Sequence, residues 1–584
     1  MNSRSRIALP GDSPAVRALR ALLPSFVATV VWPEPPQQQQ PRRLAVGGRR
    51  PTAYLDGLRG VASAVVFVCH YTEQRHDYFT PTYGLNDAFD GSRSAFLQLP
   101  YVRLVYSGRP MVHIFFVISG FVLAYRPLQL LHASSGGHGQ DEGGGGGDTA
   151  ALGRVCGALA SSTFRRPIRL LLPCVVSTLA VAALTQTGWF VFSFTPPAEA
   201  SVAAELRHWC GNFVHAIAWP WAWDHDLRPH YDVHLWTIPI ELAHSLLLFL
   251  VLLALVRLRT RLRRALNALL VVYCMAVGKW AASEFLAGLF LAERHILKEQ
   301  RSPNEEEEED DEVKEVKEEE ENKEDTRAEV GPGGRGHACV TSRMMGQHTV
   351  SRACVVRTHR LAAARRVGLL ALHGALLLVA LYVDGWPNND ADRTPGIRYL
   401  LAHTPAPFLT GGNELAQKFW FSLAAVAVVW SCGEVPALRR RFEGPVAQYC
   451  GRISYALYLV HGPGLDCFQD WVLGRPATPA HGSLFAHDFV PATAGTGIKG
   501  MVGVAGPTQR VVAWLAGLLV LGPVIVWLAD LFWRAVDAPV VRLGRAVERA
   551  CLAPPAHSLA ERAAASAKEQ SRGDGRGNEY AIAA

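Results

Sequence analysis

Long apolar stretches recur along the chain, separated by polar segments rich in arginine, glycine or acids. They lie near residues 53–73, 110–127, 168–190, 234–256, 366–383, 417–432, 445–463 and 510–533. Each is close to the roughly 20 residues that an α-helix needs to cross a bilayer. A ninth stretch, 265–293, is longer than one crossing requires and short for two. Loop charge decides how to count it. An arginine-rich N-terminus placed in the cytoplasm puts residues 154–169 and the cluster Arg257, Arg259, Arg261, Arg263 and Arg264 there as well, as the positive-inside rule requires. Arg439, Arg440 and Arg441 join them only if residues 265–293 pass twice, turning near Gly278-Lys279-Trp280, or form a re-entrant hairpin of the same parity. The pattern predicts an all-α polytopic integral membrane protein of about ten passages with both termini cytoplasmic.

The remaining segments divide the chain. Residues 1–50 form an extension in which Val16 to Trp32 predicts an interfacial amphipathic helix rather than a cleaved signal. Residues 51–545 form the membrane domain, interrupted by a flexible loop at 132–160 that contains Gly143 to Gly147, and by an acidic, disordered insertion at about 299–350. Residues 546–584 read as a disordered tail. The loop 191–233 carries Trp209, Trp219, Trp221 and Trp223, which fits an aromatic belt at the outer interface.

Composition agrees with a membrane class: 49% of the 584 residues are hydrophobic, only 19% are charged, and mean hydropathy is +0.11. The net charge of +7 is concentrated in loops, without the interleaved aromatics of a nucleic-acid surface, so no nucleic-acid partner is expected. Eleven cysteines stand singly and without paired metal spacing. They read as buried thiols, and neither a metal site nor a disulfide framework is expected.

The first apolar stretch holds Arg59 and, eleven residues on, His70. On a helix they share a face, about 20° apart and roughly 16 Å apart along the axis. Alternation then places His70, Arg109 and His113 of the second helix, Glu241 of the fourth and His461 of the ninth near one outer depth. Ionisable groups inside a span are costly and face a cavity or a partner, although polar tips are also cheap at an interface. Ser454, Tyr455, Tyr458 and His461 lie together on the ninth helix, where Ser454, Tyr458 and His461 form a polar stripe at helical spacing, as a cavity lining would. Toward the inner side, Arg165, Arg166 and Arg169 can grip phosphates bidentately or serve as ordinary positive-inside anchors.

Five ordered segments resemble the membrane acyltransferase family 3, in a form similar to its fungal branch: Leu55-Asp56-Gly57-Leu58-Arg59-Gly60 with His70, Ile114-Phe115-Phe116-Val117-Ile118-Ser119-Gly120-Phe121, the arginine-rich 165–173, Leu235-Trp236-Thr237-Ile238-Pro239-Ile240-Glu241, and Ile453-Ser454-Tyr455-Ala456-Leu457-Tyr458-Leu459-Val460-His461. Bacterial members usually carry an acid before the double phenylalanine and two acids after the tryptophan motif. Here His113 and the single Glu241 stand at those places.

The resemblance implies an acyl-CoA co-substrate, acetyl-CoA above all, approaching from the cytoplasm, with no bound cofactor. The acceptor would be a hydroxyl of a carbohydrate, lipid or secondary metabolite. Arg59 and the arginines at 165–169 would hold the CoA phosphates, and His70 would act as general base or as an acyl-carrying nucleophile, with Glu241 supporting the imidazole. A secondary transporter, the competing class, would carry an internal repeat, and none is visible.

Overall fold

The computed structural model describes residues 22–25, 27, 31, 50–85, 94–135, 146–190, 197–219, 229–300, 364–410, 412–474, 497–503 and 506–552. The acidic insertion, the C-terminal tail beyond residue 552 and most of the expected interfacial helix lie outside them. Among the described residues there is no strand, and the chain is a succession of helices. They are α1 (Ala53–Arg75), α2 (Gly108–Ser135), α3 (Gly146–Gln186), α4 (Val202–Asn212), α5 (Thr237–Leu255, entered through a 3-10 turn at Val233–Trp236), α6 (Thr260–Ala276) and α7 (280–300). After the insertion come α8 (Ala364–Asp384), α9 (Ile397–Ala402), α10 (Gly412–Glu434), α11 (Pro436–Phe442), α12 (Pro445–Leu473), α13 (Gly497–Val502), α14 (Pro507–Phe532) and α15 (Ala538–Cys551).

Six helices are long and apolar enough to cross a membrane: α2, α3, α5, α8, α10 and α14 with its continuation through α15. Together they give a helical membrane protein. Leu369, Leu370, Leu372, Leu378 and Val379 of α8 are exposed on the outside of the bundle, as a lipid-facing helix requires. α1 and α12 are not among the six, because Asp56, Arg59, Glu73 and Arg75 lie on the first and Arg452, Asp466 and Asp470 on the second.

The ambiguous stretch 265–293 is two helices, α6 and α7, reversing at Gly278, whose φ of +79 lies in the left-handed region that glycine adopts without strain. Two expectations change. α3 starts at Gly146, inside the segment expected to be a flexible loop, because Ala150, Ala151, Ala158 and Ala160 are strong helix formers that extend the span backward. The tail expected to be disordered from residue 546 is helical as far as Cys551, the end of α15. In the loop 191–233 the Trp209 indole donates to Thr178 Oγ1 of α3 at 3.0 Å, packing α4 onto the bundle. Trp221 and Trp223 lie outside the described residues.

Two apolar cores meet along α1. One side of α1, with Leu55, Leu58, Ala62 and Val66, packs among α2, α5, α7 and α10. The other side, with Phe67 and Tyr71, packs on Ile453, Leu457 and Leu465 of α12 and Leu521 and Ile525 of α14. α1 and α12 make the most extensive helix contact among the described residues. Glycine permits it: a Cβ on Gly60 would lie 2.2 Å from the Gly451 nitrogen, and a Cβ on Gly451 the same distance from the Asp56 carbonyl oxygen. Backbones thus touch where side chains would hold them apart, the usual device of helix packing in lipid. Polar bonds lock the far end. Tyr71 donates to the Trp514 carbonyl at 2.8 Å, the Trp514 indole donates to Thr72 Oγ1 at 2.9 Å, and Arg75 pairs with Asp470 of α12.

Gly60→Val is expected to force α1 from α12, at a cost on the order of 1–3 kcal/mol or more. Thermal unfolding in detergent should show a clearly lowered midpoint, and an unchanged one would contradict this packing.

Candidate active site

Three histidines from three separate places converge beside this contact. His70 of α1, His234 in the turn before α5 and His461 of α12 have ring centroids 4.3 Å (70 to 234), 5.3 Å (70 to 461) and 4.9 Å (234 to 461) apart. The approach again depends on a missing side chain, since a Cβ on Gly462 would lie 2.3 Å from His234 Nδ1. Each ring is oriented. Asp232 accepts from His234 Nδ1 at 2.8 Å and from the His234 backbone N–H at 3.1 Å, capping the 3-10 turn. His461 Nδ1 lies 2.8 Å from the Tyr458 carbonyl oxygen and 3.1 Å from that of Leu457, so it carries the proton, and its buried Nε2 has no partner. Glu73 Oε2 stands 3.9 Å from His70 Nδ1.

The turn bearing Asp232 and His234 is held from outside the bundle. Tyr231 donates to Glu205 of α4 at 2.5 Å, and Glu205 also accepts from Gln186 at 2.9 Å and from the Glu199 backbone at 3.0 Å. Burial opposes the charge of Glu205, but these hydrogen bonds prevail and hold its carboxyl below the usual range. From α12, Tyr458 donates to the His234 carbonyl, with Thr237 Oγ1 2.7 Å from the same hydroxyl.

A cavity of about 200 Å³ opens onto His70 and His234, walled by Val66, Arg109, His113 and Trp236, with α10 across from them. His70 is the most open of the three imidazoles, with 26% of its side chain exposed, while His234 and His461 are buried. Arg109 donates to Gln417 of α10 at 3.2 Å and lies 4.0 Å from Glu73. His113 lines the same cavity but is spoken for: its Nδ1 is 2.5 Å from Glu284 of α7, a buried carboxylate that also accepts from Ser422.

The other candidate residues lie elsewhere. Glu241 pairs with Arg166, which also donates from Nε to Ser245 Oγ at 3.0 Å, so its partner is a guanidinium and not an imidazole. The carboxylates beside the histidines are instead Asp232 and Glu73. Arg59, 3.7 Å from Asp56, stands in the electrostatic field of Arg169 and Glu241, and Arg169 is exposed. Arg165 is drawn to Glu548 of α15 at 3.1 Å. Of the polar stripe on α12 only Tyr458 and His461 reach the cluster. Ser454 bonds back to the Gly451 carbonyl at 3.0 Å, and Tyr455 donates to the Leu170 carbonyl at 2.6 Å, packing α12 on α3. The sequence reading missed Asp232, His234, Glu73 and Glu284. An Asp-x-His just ahead of an apolar helix was the available signal for the first two, but nothing local marks it as different from a helix entry.

The Arg59 end of α1 is thus basic, and its opposite end faces a cavity with an open imidazole backed by two buried ones and the carboxylates of Glu73 and Asp232. Residues 52–302 match the family described as the acyltransferase domain, and this match, with the acyltransferase relatives that follow, makes the protein a transferase of acyl groups. It is similar to an O-acetyltransferase of Phomopsis amygdali, 28% identical over 73% of this chain and 74% of that one. Acyltransferases of a Phoma species (27% identical; 71% and 84% covered) and of Cochliobolus lunatus (26%; 73% and 86%) are similarly related. No solved structure matches the chain. The family match contains His70 and His234 and ends before α12, which brings His461.

Glu241→Gln would leave the Arg166 guanidinium buried without its counter-charge. A loss of about 3–5 kcal/mol is expected, read as a lowered unfolding midpoint or loss of folded protein. Gly462→Ala should keep the helical content by circular dichroism yet cut acyl transfer at least about tenfold, because His234 is pushed out of register.

Proposed function

We propose that the protein is a membrane-bound O-acyltransferase that moves an acyl group, an acetyl in the first place, from cytoplasmic acyl-CoA to a hydroxyl of a carbohydrate, lipid or secondary-metabolite acceptor. The observation that carries this reading is His70: one imidazole open to a cavity, on the same helix as Arg59 and about 16 Å along it. In this reading α1, α6, α7 and α12 cross with the six strongly apolar helices, making ten passages with both termini cytoplasmic. The Arg59 end of α1 is then the inner end.

The donor enters there. Arg59 and Arg169 hold the CoA phosphates, while Arg166 stays paired with Glu241 and fixes the floor of the site. The pantetheine arm runs along α1 to the cavity of about 200 Å³, where the acyl thioester meets the acceptor carbinol. His70 takes the proton of the acceptor hydroxyl, the freed oxygen attacks the thioester carbonyl, and the C–S bond breaks as the carbonyl reforms. The imidazolium returns its proton to the departing thiolate. Arg109 in the cavity wall offsets the negative charge that develops on the carbonyl oxygen. The O-acetyltransferase relative supports an acetyl donor and an oxygen acceptor.

Purified protein incubated with labelled acetyl-CoA, alone and with sugar or lipid acceptors, tests this. His70→Ala should lower transfer by about 10²–10⁴-fold while the protein remains in the membrane. Normal turnover by that variant would overturn the assignment.

A further inference from the structure

The three imidazoles have a second capacity that the proposed reaction does not use. One nitrogen from each of His70, His234 and His461 lies within 4.8 Å of the others. Tetrahedral zinc at 2.0–2.1 Å from imidazole nitrogen needs about 3.3 Å between ligand atoms, so small ring rotations close the remaining gap. The outer groups already have the arrangement that metal-bound histidines use. His234 Nδ1 faces the Asp232 carboxylate, and His461 Nδ1 faces backbone carbonyls, which leaves Nε2 of both rings as the nitrogen free to ligate. His461 Nε2 is buried and without a partner, and its residue is only 1% exposed. A buried polar atom in that condition is costly unless something occupies it.

Two carboxylates bear on the trio: Asp232 and Glu73 act electrostatically on His234, opposed by the Arg109 guanidinium, which acts on His70, and Asp232 Oδ2 has no hydrogen-bond partner. Thiols are absent from the trio, and the three donors are borderline nitrogen ligands, the choice of zinc and its neighbours over magnesium or calcium. The fourth position would open to the cavity through His70, the most exposed of the three.

We propose that His70, His234 and His461 form a binding site for a divalent cation of the zinc class, and that an occupied site silences acyl transfer by taking the His70 lone pair. The inhibitory half rests on the reading of His70 as general base. Untagged, full-length protein in detergent, stripped with a chelator and dialysed, is titrated with Zn²⁺ and separately with Co²⁺. The expected result is one equivalent bound per chain, with the intense visible absorption of tetrahedral cobalt. Both signals should be lost in His461→Ala and in His234→Asn, the second variant guarding against a folding failure of the first. Acyl transfer by the unaltered protein should fall at least tenfold on zinc addition and return with chelator. Binding that persists in both variants, or no stoichiometric binding by the unaltered protein, would overturn the site; binding without loss of transfer would overturn the silencing. Metal binding is read without the reaction, so normal transfer by His70→Ala would remove the base while leaving the cation titration to decide this site.

Discussion

The backbone contact of α1 with α12 governs the rest of the molecule. Gly60 and Gly451 let the two helices approach to a separation that any side chain would forbid, and that separation sets the distance of His70 from His461. In lipid there is little hydrophobic gain from bringing two helices together, so van der Waals fit and a few polar bonds must hold them. Tyr71, Thr72, Trp514, Arg75 and Asp470 supply those bonds at the histidine end of α1. A motif read as a family signature, Asp56-Gly57-Leu58-Arg59-Gly60, is thus in large part a packing device that serves a site three turns away.

Charge is handled differently at the two ends of α1. Around Arg59 the guanidiniums of Arg59, Arg166 and Arg169 are gathered beside the carboxyls of Asp56, Glu241 and Asp537. Around the histidines Glu73 stands beside His70 and Asp232 holds His234, with Arg109 in the same cavity wall. A single helix therefore joins a cluster of guanidiniums to a cluster of imidazoles. Buried pairs such as Arg166 with Glu241 and His113 with Glu284 fix helix positions between them, where an unpaired charge would be costly.

The all-helical character, the location of the apolar helices and the reversal near Gly278 were legible in the chain, because apolar length, loop arginines and an isolated glycine act locally, although α3 begins well before its apolar stretch. Arg59, His70 and His461 were legible as polar interruptions of apolar helices. Local spacing carried no information about which carboxylate would face which ring. Glu241, two turns into an apolar helix, looks like a catalytic acid, yet its register turns it toward Arg166; Asp232, at a helix entry, looks like a cap and is both a cap and the partner of His234.

The sequence by itself determined a helical membrane acyltransferase with an arginine and a histidine on one face of its first apolar helix. Tertiary structure alone decided that His70 has His234 and His461 as neighbours, that Asp232 orients one of them, and that Glu241 belongs to the arginines. The physical reason is one of range. Apolar periodicity and helix propensity are settled within a few turns, whereas a constellation drawn from α1, the entry of α5 and α12 depends on helix separation and rotation. Those are set by glycine contacts and polar bonds between residues hundreds of positions apart.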